Sequence, residues 1–313
     1  MKEYLERIGG EWIVKDGSPL KEEALRCFYA FWGSKMVPVF PGPQPVSIER
    51  KHFSILKTNE YVVCEKTDGV RTALLAFMFG TKKVTLLINR ALHMTYISLT
   101  LPRSAHKGTL LDCELIDKTL MVYDGIWVYG QDLKSKNLLE RLSAVDMFIK
   151  GILRLAKDPV LIKLKKMVSM CDLCEYYNNT VKNLSHESDG LIFTPINEPI
   201  KLGTHNTMFK WKPRDLNTID FQVKWTGNHR CALYVQEKGT LVFESEIQNP
   251  TPFMEMLKED TIVECMYMKD EYPMWWKPVG VRSDKTYPNS RFTFYRTLVN
   301  IKEDIQWTEF VNL

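Results

Sequence analysis

The segment Lys66-Thr67-Asp68-Gly69-Val70-Arg71 joins two β-rich runs and sets an amine beside a tight turn. Lys-x-Asp-Gly arises by chance in about a tenth of chains this long, so alone it reads equally as a hairpin corner with Lys66 and Arg71 in solvent. As a nucleophile, a lysine with a pKa of about 10.4 costs about 4.6 kcal/mol to deprotonate at pH 7, a cost that nearby cations relieve. Lys210 and Lys212, in Phe209-Lys210-Trp211-Lys212-Pro213, supply two. Alternate residues of a strand share a face, so this pair would depress the pKa of Lys66 and hold a phosphate as point charges.

Carboxylates stand in comparable places. Glu114 lies within the apolar run LLDCELI, and Asp189 opens DGLIF after a polar loop. A carboxylate in such a run needs a partner or a metal. One could bind Mg²⁺ beside substrate phosphates and the other a ribose hydroxyl, although each taken singly is more often a structural ion pair. Near the C-terminus, Val281-Arg282-Ser283-Asp284-Lys285-Thr286-Tyr287-Pro288-Asn289 reads either as a solvated loop or as cations reaching for phosphates. Seven cysteines, odd in number and scattered, fit free thiols; Cys171 and Cys174 form a lone CxxC, which reads as two semi-buried helix residues.

The elements that position these residues follow from periodicity. The first 35 residues read as helical, with Leu25, Tyr29 and Trp32 on one face after Ser18-Pro19. Prolines then break Phe40 to Pro45 into an ordered turn. Short β-rich runs from Tyr61 to Gly130 predict an antiparallel sheet, and residues 136–180 return to helical spacing. DGLIF to FKWKP forms a second β block; the short strands after Asp220 predict a small barrel, followed by a helix around Phe292 to Asp304. The outline is an α+β chain with a first domain over 1–221 and a β domain over 222–313, the last helix packing back on the first domain. With 313 residues, 45% hydrophobic and 26% charged, the chain excludes wholesale disorder, and a net +4 is too mild to demand a polyanionic partner. The apolar stretch Val84–Leu101 contains Asn89, Arg90 and His93, and the N-terminus has no secretory pattern, so neither a membrane partner nor a disulfide-forming compartment is expected.

In order, KTDGVR, LLDCELI, VYDGI, DGLIF, FKWKP and VRSDKTYPN resemble the signature of the covalent nucleotidyltransferase superfamily, which comprises mRNA capping guanylyltransferases and ATP-dependent DNA and RNA ligases. Phe40-Pro41-Gly42-Pro43-Gln44-Pro45-Val46-Ser47, the NTIDF that follows FKWKP, and RSDKTYPN resemble the capping branch. The resemblance implies a nucleotidyltransferase domain with antiparallel sheets plus an OB-fold β-barrel domain. It implies Lys66 as catalytic nucleophile, forming a lysyl-GMP from GTP and passing the GMP to the 5′-diphosphate end of RNA. Nucleotide contacts would come from Arg71 and Glu114 at the ribose, Tyr123 stacked on guanine, Lys210 and Lys212 at the α-phosphate with Asp220 nearby, and Arg282, Asp284 and Lys285 at the β,γ-phosphates. By weaker matching, Arg90 touches phosphate and one of Lys163, Lys165 or Lys166 reads the guanine edge. Asp189 would hold Mg²⁺ or Mn²⁺. An RNA polymerase tail and a separate RNA triphosphatase would be partners, in the nucleus or a cytoplasmic viral factory. The alternatives are an ATP-dependent polynucleotide ligase using the same lysine and a catalytically silent RNA-binding protein on this fold. Cys113 departs from the glycine usual in the family, and only altered packing behind Glu114 is expected from it.

Overall fold

A computed structural model of the chain describes residues 1–153, 158–227, 230–248, 257–268, 276–283 and 285–313. Its strands are, in chain order, β1 (Leu5–Ile8), β2 (Glu11–Val14), β3 (Gln44–Ser47), β4 (Tyr61–Thr67), β5 (Val70–Phe79), β6 (Lys82–Asn89), β7 (Met94–Tyr96), β8 (Thr109–Ile116), β9 (Thr119–Val128), β10 (Gln131–Asp132), β11 (Leu161–Leu164), β12 (Val168–Ser169), β13 (Ser188–Pro195), β14 (Thr204–Trp211), β15 (Thr218–Gly227), β16 (Arg230–Glu237), β17 (Thr240–Gln248), β18 (Ile262–Tyr267) and β19 (Trp276–Val281). They form three sheets among the described residues, and the chain divides into two compact units, Met1–Val46 with Ile55–Lys210, and Ser47–Ser54 with Trp211–Leu313.

In the first unit, a large sheet runs in the order β1-β2-β7-β6-β5-β8-β9-β10, with β11 parallel to β9. Alternation on β5 splits its residues between two cores: Leu75 and Phe77 pack with Phe28 and Trp32 of the helix Pro19–Trp32, while Leu74 and Ala76 pack with Val145 and Phe148 of the helix Leu138–Lys150. Each of these helices starts where its sequence supplies a cap, Ser18 accepting from the Lys21 N–H and Asn137 from the Glu140 N–H. The second sheet runs β12-β4-β13-β14-β3, the proline-containing β3 taking its edge.

Two helical readings give way to strands. Residues 5–14 form a hairpin because Gly9 and Gly10 both adopt positive φ, 57° and 89°, and fold β1 onto β2. Between 136 and 180, the first helix ends at Lys150, Leu153 is 72% exposed, and Leu161–Leu164 pairs with β9. The edge of an existing sheet offers those backbone groups partners that helical spacing does not reveal. Cys171 and Cys174 are exposed free thiols rather than semi-buried.

The second unit carries an antiparallel sheet in the order β17-β16-β15-β18-β19, consistent with an OB-like domain, with no pairing of β17 to β19 among the described residues. Phe221, Val263, Trp276 and Phe294 of the helix Arg291–Glu303 share its core, so that helix belongs to this unit. The unit starts at Trp211 rather than at residue 222, because the buried Trp211 indole donates to the Ile305 carbonyl at 2.7 Å and its ring meets Phe310 edge-on. Ser47–Ser54 joins it through Arg296, which donates to the Ser47 carbonyl and to Glu49, and through Asn300, which donates to the Ile48 carbonyl. Replacing Trp211 by Phe keeps an aromatic ring against Phe310 but removes the pyrrole half of the indole and its N–H, leaving the Ile305 carbonyl unpaired, so we expect a loss of at least about 1–3 kcal/mol in the denaturant unfolding of the full chain.

Candidate active site

A cavity of about 360 Å³ opens in the first unit where the end of β4 meets residues of β5, β8, β9 and β14. Lys66-Thr67-Asp68-Gly69 is not a hairpin corner, since β4 and β5 lie in different sheets and this segment carries the chain from one to the other. The crossing is tight. A Cβ added at Gly69 would lie 2.8 Å from Glu114 Cγ and 2.9 Å from the Leu115 carbonyl oxygen, which only glycine avoids.

Lys66 Nζ donates to Asp189 Oδ1 at 2.7 Å, so the amine meets a carboxylate where spacing alone put cations. A bulge aims that carboxylate: Ser188 pairs with Thr67 and Leu191 with Glu65, leaving β13 one residue longer, and Gly190 takes a φ of 150° within it. Lys210, on β14, lines the cavity. The strand ends at Trp211, so alternation does not extend to Lys212, which falls in the second unit.

Arg71 and Glu114 stand opposite each other on β5 and β8. Arg71 is held from several sides: Nε and Nη2 donate to the buried Asp112 at 3.1 and 2.6 Å, Nη1 donates to the Pro43 carbonyl at 2.8 Å, and the guanidinium carbon lies 4.9 Å from the Phe40 ring centre. Gly42 passes so close to the guanidinium that no side chain fits there, which gives the FPGPQPVS segment a function as a clamp. Burial works against the charge on Arg71, yet Asp112 outweighs it and holds the group above its ordinary pKa. Tyr123 OH also donates to Asp112, at 2.6 Å, and burial keeps that phenol far up. Sequence reasoning passed over Asp112, although its position two residues before Glu114 puts both on one strand face. Cys113, between them, points into the opposite core with Leu74 and Val122, as the expected packing role requires.

Of the three candidate lysines after residue 160, Lys163 and Lys166 are exposed, whereas Lys165 is 3% exposed in its side chain and lines the cavity. Its amine donates to Thr67 Oγ1 at 2.5 Å and lies 3.5 Å from Glu114 and 3.7 Å from Glu65. Burial opposes its charge, and Cys64 together with the Glu65 and Glu114 carboxylates prevails, raising its pKa. Glu65, on the other side of Lys165, accepts from Tyr176 OH. Burial raises the pKa of Glu114 against the pull of Lys165 and Lys66. Arg90 is exposed at the cavity and donates to Gln44 Oε1 at 3.4 Å.

Asp220, Arg282 and Lys285 gather in the second unit, where the Asp220 carboxylate accepts from both cations. Asp220 therefore stands with the C-terminal motif. Asp284 lies outside the described residues.

The family model for the mRNA capping enzyme, catalytic domain, matches residues 12–214. The chain belongs to the mRNA capping enzyme family. It is 30% identical to the mRNA-capping enzyme subunit alpha of Schizosaccharomyces pombe, with 85% of this chain and 77% of that protein aligned. It is 28% identical to the mRNA-capping enzyme of Mus musculus over 80% of this chain, and spans 45% of the mouse protein. Among solved structures, a mycobacterial DNA ligase D complexed with ATP and MES overlies 78% of this chain at a TM-score of 0.46 and 12% identity. Capping enzymes are nucleotidyltransferases that use GTP, and the cavity described above lies within the span matched by the family.

The raised pKa of Glu114 has a consequence for this family member's stability. A carboxyl that holds its proton more tightly in the fold than in the unfolded chain penalises the fold at neutral pH, and the penalty vanishes below its ordinary value of 4.5. Glu114→Gln should therefore melt at a higher temperature than the parent at pH 7 to 8, the two curves converging as the pH falls below 4.5. A lower melting temperature at pH 7 would show that the Lys165 and Lys66 charges need this carboxylate more than burial opposes it.

Proposed function

We propose that this chain is the guanylyltransferase that forms the GpppRNA cap in two steps on Lys66. The observation that carries the reading is Lys66, paired with Asp189, at the wall of a cavity that Arg71, Glu114, Lys165 and Lys210 also line. In the first step Lys66 Nζ, as the neutral amine after a proton has gone to solvent, attacks the α-phosphorus of GTP: a P–N bond forms, the bond to pyrophosphate breaks, and Nζ gives up a second proton toward Asp189 Oδ1, with which it is hydrogen-bonded. In the second, a β-phosphate oxygen of a 5′-diphosphate RNA attacks the same phosphorus, the P–N bond breaks, and the amine is regained. Positioning and charge neutralisation carry such in-line transfer.

Within this reading Arg71, its charge met by Asp112, serves as a fixed hydrogen-bond donor for ribose hydroxyls, together with Glu114. Tyr123 offers a ring for the guanine, its hydroxyl tied down by Asp112. Lys165 and Thr67 face the base. Lys210, Lys212 and Arg90 serve phosphates, and Arg282 and Lys285 the pyrophosphate portion, with Asp284 of the same motif. Among the described residues no cluster of three or more His, Cys, Asp or Glu could cage a metal. The site fits Mg²⁺ or Mn²⁺ in the manner of ions held by one carboxylate and substrate phosphates, with Asp189 as that carboxylate. Such an ion would neutralise phosphate charge. The acceptor chemistry calls for an RNA triphosphatase acting earlier and a nascent transcript as source, which supports a nuclear site of action and proximity to an RNA polymerase tail. Among the described residues no helix is long and apolar enough to cross a membrane.

With divalent metal and α-labelled nucleotide, the protein should acquire label from GTP and not ATP, and Lys66→Ala should abolish it. Adenylylation alone would select the ligase reading, and label retained in Lys66→Ala would place the nucleophile elsewhere. Arg282→Ala or Lys285→Ala should slow lysyl-GMP formation about a hundredfold and transfer from isolated lysyl-GMP to RNA far less. Equal losses in both half-reactions would remove these residues from the pyrophosphate.

A further inference from the structure

Within the second unit Asp220 is 5% exposed, and its backbone is fixed on both sides. Its N–H donates to Asn289 Oδ1 at 2.9 Å, and the Asn289 N–H donates to the Asp220 carbonyl at 2.8 Å. From that anchored position the carboxylate takes Arg282 Nη1 at 3.1 and 3.3 Å and also Lys285 Nζ. The cations come from one turn, the Lys285 N–H donating to the Arg282 carbonyl at 3.1 Å, and their side chains remain 28% and 32% exposed. Glu264, paired with Asp220 across β15 and β18, accepts instead from Thr218. One rigid, buried carboxylate thus serves two partly exposed cations.

We propose that Asp220 is a positioning residue that acts as an internal counter-ion: it holds Arg282 and Lys285 between turnovers and competes with pyrophosphate for them. This rests on the assignment of those cations to the pyrophosphate portion of GTP. A carboxylate and a phosphate draw on the same N–H donors, so part of the attraction for pyrophosphate is spent displacing or sharing Asp220. The competition weakens the hold on the leaving group and lets the cations return to a defined place once it departs.

The test is pyrophosphorolysis. Isolated labelled lysyl-GMP enzyme, full chain, is titrated with inorganic pyrophosphate, and the concentration giving half-maximal return of GTP is read. Asp220→Asn, equal in shape but uncharged, should lower that concentration about tenfold, and Asp220→Ser should move it the same way. Adding Arg282→Ala to Asp220→Asn should cancel the gain, which a general loosening of the fold would not do. An unchanged or higher half-saturating concentration in both Asp220 variants overturns the counter-ion. If the parent chain forms no lysyl-GMP the functional reading itself falls; if it forms and reverses while the variants fail to tighten, only this inference does.

Discussion

A short crossing between two sheets is the constraint on which the site depends. The chain leaves β4 at Thr67 and enters β5 at Val70, and Gly69 passes against Glu114 at a separation that admits no side chain. β5 is central in the large sheet, between β6 and β8, and helices pack on both faces of that sheet. β4 is likewise internal in its own sheet, between β12 and β13. Lys66 is therefore located by two sheets rather than by a free loop, and the residues on the facing strands arrive in a fixed relation to it.

Charge pairing is what makes such a cavity tolerable before substrate arrives. Lys66 leans on Asp189, Arg71 on Asp112, and Lys165 on Glu114 and Glu65. An isolated buried cation would cost several kcal/mol, and each carboxylate offsets that while keeping its cation pointed into the cavity. The second unit repeats the device, with Asp220 serving Arg282 and Lys285. A polyanionic substrate then meets cations that are already ordered, so little conformational entropy remains to be lost on binding.

Parts of this were legible in the chain and parts were not. The capped helix Pro19–Trp32 and the strands from Tyr61 to Val128 announce themselves by periodicity and turn chemistry, because those signals are local. The hairpin at Gly9-Gly10 is also local, but the charged residues around it masked the alternation. β11 was hidden for a different reason: a short strand on the edge of a sheet is defined by the neighbour it finds. Asp112 lies in the same apolar run that singled out Glu114 and was within reach of the same argument, whereas the close approach of Gly42 to Arg71 was not, since nothing in a sequence records which glycine lies against which guanidinium.

The chain by itself determined the kind of chemistry, because residue types and their order along strands survive in one dimension: a lysine before a glycine turn, carboxylates in apolar runs, paired cations near the end. Only the tertiary structure decided which groups are partners. It gave Lys66 a carboxylate, buried Lys165 while leaving Lys163 and Lys166 exposed, and put Asp220 with Arg282 and Lys285. Such choices depend on distances across sheets and on which side of a bulge a residue falls, and a register shift of one residue reverses them.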